Sequence, residues 1–271
     1  MVPMKKRPPV ILCFLFVIGG LLVSCAARHQ VRILHVNDFH GFAIGYKPYG
    51  SDETLGGLPY LAGSADRLRA EKPTMLLAAG DMIQGNNWTN LFQGTSTIEA
   101  MNAMGFDAMV VGNHEFDFGQ GALMERIKQA TFPVLGANVV GLSGLKPYMV
   151  KELDGVKIAV IGVVTAEAPV STHPRNVVGL AFLPPPDTVE KYVRELRDKN
   201  DLIIVLSHQG LGADIELAKK VAGVDVIVGG HTHTKLTRPI HVGNTVIVQA
   251  FEHGKALGVL DLVVRNGKIV T

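Results

Sequence analysis

Short apolar runs that end in polar, chemistry-bearing residues recur along this chain. The run from Val31 to Val36 is rich in β-branched residues and reads as a strand that runs into Asn37-Asp38-Phe39-His40-Gly41. Thr74 to Ala79 is apolar almost throughout, as a strand covered on both faces is, and closes on Gly80-Asp81. Ala108 to Val111 closes on Gly112-Asn113-His114-Glu115-Phe116-Asp117. Asp201 to Leu206 runs into Ser207-His208-Gln209-Gly210, and Val224 to Val228 into Gly229-Gly230-His231-Thr232-His233. Pro133 to Ala137 is a short strand ending at Asn138, and Val156 to Val164 a longer one preceded by a turn at Asp154-Gly155. The chain is then β-rich over 245–250 and 256–264, with a turn at Asn266-Gly267.

Helical spacing fills the intervals. Leu58, Leu61, Ala62, Ala65 and Leu68 share one face of a helix over 58–71, which Pro73 stops. Further helices are predicted at 95–104, at 119–130 with Leu123, Met124 and Ile127 inward, and at 214–222. Another is capped by Asp187 or Thr188 and buries Val189, Tyr192, Val193 and Leu196. Residues 41–56, 82–94 and the five-proline stretch 168–186 read as loops, the first a rim or lid. Strand, polar strand end and helix in repetition give an α/β fold with mixed sheets. Sites in such folds gather beyond the carboxyl ends of strands, where five runs here place Asp, His or Asn.

Length and charge narrow the function. A chain of 271 residues is long enough for one large α/β domain with a sizeable core. A net charge of +2, with no basic run beyond the N-terminus, argues against a nucleic-acid polymer as the main partner. Cys13 and Cys25 are both N-terminal, so the rest of the chain has neither a disulfide nor a thiolate metal site. A metal ion would be held by His, Asp, Glu and Asn, which suits Zn²⁺, Mn²⁺ or Mg²⁺.

The N-terminus reads as a targeting segment. Lys5, Lys6 and Arg7 precede an apolar stretch from Val10 to Val23 that is too short for a comfortable membrane span. Leu22-Val23-Ser24-Cys25 resembles a bacterial lipobox. That resemblance implies residues 1–24 as a lipoprotein signal peptide, lipid on Cys25, and 25–30 as a short tether ahead of the domain at 31–271. It implies an exported lipoprotein, anchored in the membrane at the periplasmic face or cell surface of a bacterium. The alternatives are an ordinary signal peptide with a chance Cys, or an uncleaved anchor.

Asp38, His40, Asp81, Asn113, His208, His231 and His233, with His114 and Asp117 beside them, are too many ligands for one four- to six-coordinate ion. They suit two ions sharing a carboxylate, roughly 3.5–4 Å apart, and so hydrolysis of a phosphate ester with no cofactor but metal. Asp38 and His40, two apart, would point the same way in extended backbone. Asp117, three residues after His114, is placed to hold its imidazole.

In this order, Asp38-x-His40, Gly80-Asp81, Gly112-Asn113-His114-Glu115, His208 and Gly230-His231-Thr232-His233 resemble the motifs of the calcineurin-like metallophosphoesterases. Leu34 to Gly41 and Gly112 to Gly119 are similar to their 5′-nucleotidase branch. The resemblance implies a four-layer αββα sandwich. It implies Asp38, His40 and His233 on a first ion, Asn113, His208 and His231 on a second, and Asp81 bridging. His114, steered by Asp117, would stay free of metal, stabilise the transferring phosphoryl and protonate the leaving oxygen. Many 5′-nucleotidases carry Gln where this chain has His233, whereas His matches the wider superfamily. The branch also has a C-terminal domain that grips the nucleotide, which these residues do not include.

The expected function is therefore two-metal hydrolysis of small phosphate esters outside the cytoplasm, nucleotide phosphomonoesters first, with no protein partner implied. Cyclic-nucleotide or other phosphodiester hydrolysis, sulfur-ester hydrolysis, and a truncated, non-catalytic metal-binding lipoprotein remain open. Glu115 reads as a backbone cap or a support to the ligands, and His35 as structural. His29, His173, His241 and His253 read as surface or packing residues. Trp88 and Phe92 either stack on a substrate or pack under their loop.

Overall fold

A computed structural model describes residues 28–271; the expected leader and Cys25 lie outside them. One sheet is built from β1 (His29–Val36), β2 (Thr74–Ala78), β3 (Ala108–Val110), β4 (Val134–Leu135), β13 (Gly258–Arg265) and β14 (Lys268–Ile269), in the order β14-β13-β1-β2-β3-β4. The other contains β6 (Tyr148–Leu153), β7 (Val156–Val164), β9 (Leu202–His208), β10 (Val226–Gly229), β11 (Ile240–Val242) and β12 (Thr245–Gln249), in the order β11-β12-β10-β9-β7-β6. A small hairpin pairs β5 (Val139–Val140) with β8 (Ala181–Phe182). Strands β1 to β4 run parallel, as do β7, β9, β10 and β12, so two sets of carboxyl ends are available to a site.

Helices cover the outer faces. Three are α1 (Leu58–Arg69), α3 (Thr95–Ala103) and α4 (Gly119–Gln129), with the one-turn α2 (Asn87–Asn90) between the first two. After the one-turn α5 (Ala168–Ser171) come α6 (Pro185–Leu196) and α7 (Leu211–Lys220). The alternation of β1 shows why the sheets must be covered twice. Leu34 and Val36 face the layer holding Leu61, Ile98 and Leu123, while Val31 and Ile33 face Val160, Ile204 and Val228 of the second sheet. A third apolar layer joins Ile203, Val205 and Ile227 to Val189, Val193 and Leu217 of α6 and α7. The three cores define the four-layer αββα sandwich.

Most expected elements form, with differences that have local causes. Helix α6 begins at Pro185, two to three residues before the expected caps, because a proline at the first helical position has its φ already set and needs no N–H partner. Strand β9 runs on through His208, placing that side chain inside the sheet. The stretch 168–186 is not all loop: it contains α5, a 3₁₀ turn at Pro174–Val177 and β8. The short helix Asn87–Asn90 interrupts 82–94, and Asn86 caps it by accepting from the Trp88 N–H. Trp88 packs against the helix-side core, whereas Phe92 is exposed. No helix among the described residues is long and apolar enough to cross a membrane.

Candidate metal centre

The carboxyl ends of β1, β2, β3, β9 and β10 meet at one place. Asp38, His40 and His233 present ligand atoms within 4.8 Å of one another, and so do Asp81, His208 and His231. The two sets adjoin: His40 Nε2, 3.4 Å from His233 Nε2 within the first set, is 4.0 Å from Asp81 Oδ2 of the second. Asp81 Oδ2 is in turn 3.0 Å from His208 Nε2, so Asp81 lies between the sets.

The backbone reaches this arrangement through an uncommon conformation. Asp38, His40, Asp81, His231 and His233 all have positive φ, between 49° and 75°. Asp38 and His40 are therefore not in extended backbone; left-handed turns, not strand alternation, bring them together. Each such residue costs of order 1 kcal/mol or more, and such strain clusters at functional sites. The turns are held by cross-loop hydrogen bonds. The Asp38 N–H donates to Gly80 O at 3.0 Å, and the His40 N–H to Asp81 O at 3.0 Å. The His231 N–H donates to the Asp38 carboxylate at 3.0 Å. Gly112 is required by close approach: a Cβ there would stand 2.1 Å from Asp81 Oδ1.

Glu115 is the keystone of two of these loops. Its carboxylate accepts backbone N–H groups from Asp81, Met82 and Ile83 at 2.8, 2.7 and 3.2 Å, and a fourth from Gly112. Burial and the Asp81 charge push Glu115 up to about 7. Both oxygens nevertheless face two N–H donors each, which leaves no place for a proton, so the carboxylate is the form that fits.

Several polar atoms are aimed as metal ligands would be. Asn113 Nδ2 donates to Ser171 O at 2.9 Å, which leaves its Oδ1 buried and without a partner. His208 Nδ1 is 2.6 Å from Ala79 O and donates to it, which leaves Nε2 buried, 3.0 Å from Asp81 Oδ2. His40 Nδ1 likewise donates to Gln84 O at 2.8 Å. Burial lowers the His40 and His231 pKa values, favouring the neutral imidazole that binds metal. Against the cost of burial, the His208 imidazole holds the Asp81 carboxyl well below its ordinary range, while Asp81 lifts His208 to about 10. The pair thus draws positive charge to His208 Nε2, and a metal ion competes there with a proton. A buried His208 Nε2 beside Asp81 and a buried, unpartnered Asn113 Oδ1 on the neighbouring strand end fit a pair of divalent ions.

His114 opens the 3₁₀ turn after β3, and its N–H donates to Asp81 Oδ1 at 2.9 Å. Its Nδ1 donates to Asp117 Oδ2 at 2.6 Å. Asp117 is itself fixed, accepting from Thr172 Oγ1 at 2.6 Å and, through its carbonyl, from Asn176 Nδ2 at 2.8 Å. The hydrogen bond to Asp117 raises the His114 pKa against partial burial. The ring lies 5.4 Å from that of His40, centroid to centroid.

His253, expected to be a surface or packing residue, does pack, stacking on Phe42 at 3.9 Å, but it packs beside the motifs, its ring 5.8 Å from those of His40 and His233. Its backbone N–H donates to Asp38 O at 2.7 Å, and this long-range contact left no signal in local spacing. His35 is buried, in keeping with a structural role.

A four-layer sandwich with paired ligand sets at its strand ends is the architecture of a dimetal phosphoesterase. The calcineurin-like phosphoesterase family matches residues 31–235, and the chain belongs to it. Members of this family use a dinuclear metal centre. The chain is 34% identical over 299 residues to snake venom 5′-nucleotidase of Gloydius brevicauda, covering 96% of this chain and 50% of that protein. It is 32% identical over 308 residues to a probable 5′-nucleotidase of Treponema pallidum, covering 99% and 52%. The crystal structure of a 5′-nucleotidase precursor from Thermus thermophilus superposes with a TM-score of 0.83 at 32% identity, over 89% of this chain and 53% of that one. The chain thus spans about half the length of the curated relatives it matches.

Proposed function

We propose that this chain hydrolyses phosphate esters at the dimetal centre, with nucleotide 5′-phosphomonoesters as the leading substrate class. The convergence of two ligand sets on Asp81 carries the proposal. The similarity to 5′-nucleotidases supports the substrate class. Bound ions supply Lewis acidity that lowers the pKa of water and neutralises phosphoryl charge. The two clusters and the family resemblance support these ligand roles: Asp38, His40 and His233 for one ion, His208 and His231 with Asn113 for the other, Asp81 between. Zn²⁺ or Mn²⁺ suits this nitrogen and oxygen donor set.

His114 acts on the substrate. With Nδ1 engaged by Asp117, its Nε2–H is free to donate to a phosphoryl oxygen and to pass a proton to the leaving oxygen. His114→Ala is expected to lower kcat by about 10²–10³-fold with both ions retained, as measured by steady-state kinetics and metal analysis. The raised pKa keeps His114 protonated to higher pH, so activity falls as pH rises through that pKa. Asp117→Asn removes the cause and should move the alkaline limb of the kcat profile to lower pH.

The lipobox-like Leu22 to Cys25 and its basic, apolar leader support export and lipid attachment at Cys25, with the site acting outside the cytoplasm. The test of function is phosphate release from AMP by the full chain in detergent, alongside cleavage of bis-p-nitrophenyl phosphate. Metal-dependent AMP turnover that chelation abolishes and Mn²⁺ or Zn²⁺ restores is the expected result. Turnover of the diester alone would reassign the substrate class, and no turnover of either by metal-loaded protein would overturn the catalytic proposal.

A further inference from the structure

Glu252 lies outside the ligand motifs, in the turn after β12, yet its carboxylate reaches a candidate ligand. Its Oε2 accepts from His233 Nδ1 at 2.6 Å, and its Oε1 accepts from Lys255 Nζ at 2.6 Å. His233 needs such a tether. Its side chain is 33% exposed, against 10% for His40 and 0% for His208, and its backbone is left-handed at φ 51°. His40 and His208 are oriented by the carbonyls of Gln84 and Ala79; His233 has a carboxylate in that place.

We infer that Glu252, braced by Lys255, is a positioning residue that fixes His233 as a ligand of the first ion. This rests on the dimetal reading. With the proton on Nδ1 facing Glu252, the Nε2 lone pair faces Asp38 Oδ1, 3.2 Å away, and His40 Nε2. The negative charge behind the ring also strengthens the imidazole as a donor. His233, Glu252 and His253 could themselves be taken for a third cation site, since their ligand atoms lie within 4.8 Å of one another. The Lys255 ammonium already supplies the cation there. It is 16% exposed and lies 4.9 Å from the Tyr46 ring centroid and 5.3 Å from that of Phe251.

The test is metal affinity. The full chain in detergent is stripped by chelation and titrated with Mn²⁺ or Zn²⁺ against a chromophoric chelator, and both binding constants are read. Glu252→Gln should weaken one ion by about 10–100-fold, with the other within about twofold and the melting point of the stripped protein unchanged. His233→Gln should weaken the same ion, and the double variant should be no weaker than His233→Gln alone. Lys255→Met should weaken that ion by a smaller factor. Two tight sites unmoved by Glu252→Gln, or full additivity in the double variant, would overturn this inference while leaving the dimetal reading intact. An unaltered chain that binds no metal would overturn both.

Discussion

Glu115→Gln is expected to destabilise the protein by about 3–5 kcal/mol, lowering the melting point by about 10 °C, and to impair metal loading as well. The side chain is fully buried and never faces the substrate region, yet it gathers four backbone N–H groups from two ligand loops. Glutamine has nearly the same shape, but its NH₂ would confront two of those donors, and a buried donor without an acceptor costs about 1–3 kcal/mol. The loops carry Asp81 and Asn113, so their relaxation spreads the two ligand sets. Thermal unfolding of the metal-stripped protein separates this from a pure ligation effect. A variant with an unchanged stripped melting point and full metal affinity would show that water or loop adjustment satisfies the donors, and that Glu115 does not hold the loops.

How much of this was legible beforehand depends on distance along the chain. Strands β2 and β9 are continuous apolar runs bounded by turn residues, and the pairing of His114 with Asp117 lies within one turn, so both could be read locally. The edge strand β6 escaped because its six residues alternate only weakly in burial, although its hairpin turn at Asp154-Gly155 was visible. Asp38 and His40 depart from the extended backbone that their place after a strand predicts. Hydrogen bonds to the carbonyls of Gly80 and Asp81, and one from the His253 N–H, override that preference. Glu252 and His253 reach the site from more than 200 residues beyond Asp38, and no spacing rule connects them. Glu115 was legible as a support but not as a clamp, since three of its four N–H partners lie 32 to 34 residues away and only Gly112 is close in sequence.

Asp81→Asn should reduce turnover by about 10³-fold or more and remove the thermal stabilisation that metal confers. The substitution keeps the shape, and its amide oxygen can still accept the His114 N–H that now reaches Oδ1. What it removes is charge. Asp38 and Asp81 are the two carboxylates of the paired ligand sets, and Asp81 is the one facing both His40 and His208. Two divalent ions held by adjoining ligand sets would repel, and the Asp81 carboxylate would offset that repulsion where a neutral amide cannot. The asparagine NH₂ would also point a donor at one metal position. Ligand-linked stabilisation gives an independent readout, since about 100-fold saturation of one site is worth about 2.7 kcal/mol of folding stability. The unaltered chain should gain that melting shift on addition of Mn²⁺ or Zn²⁺, and Asp81→Asn should lose most of it. If Asp81→Asn kept both the shift and the activity, Asp81 would not bridge, and the division of ligands around it would have to be redrawn with Asp38 as the shared group.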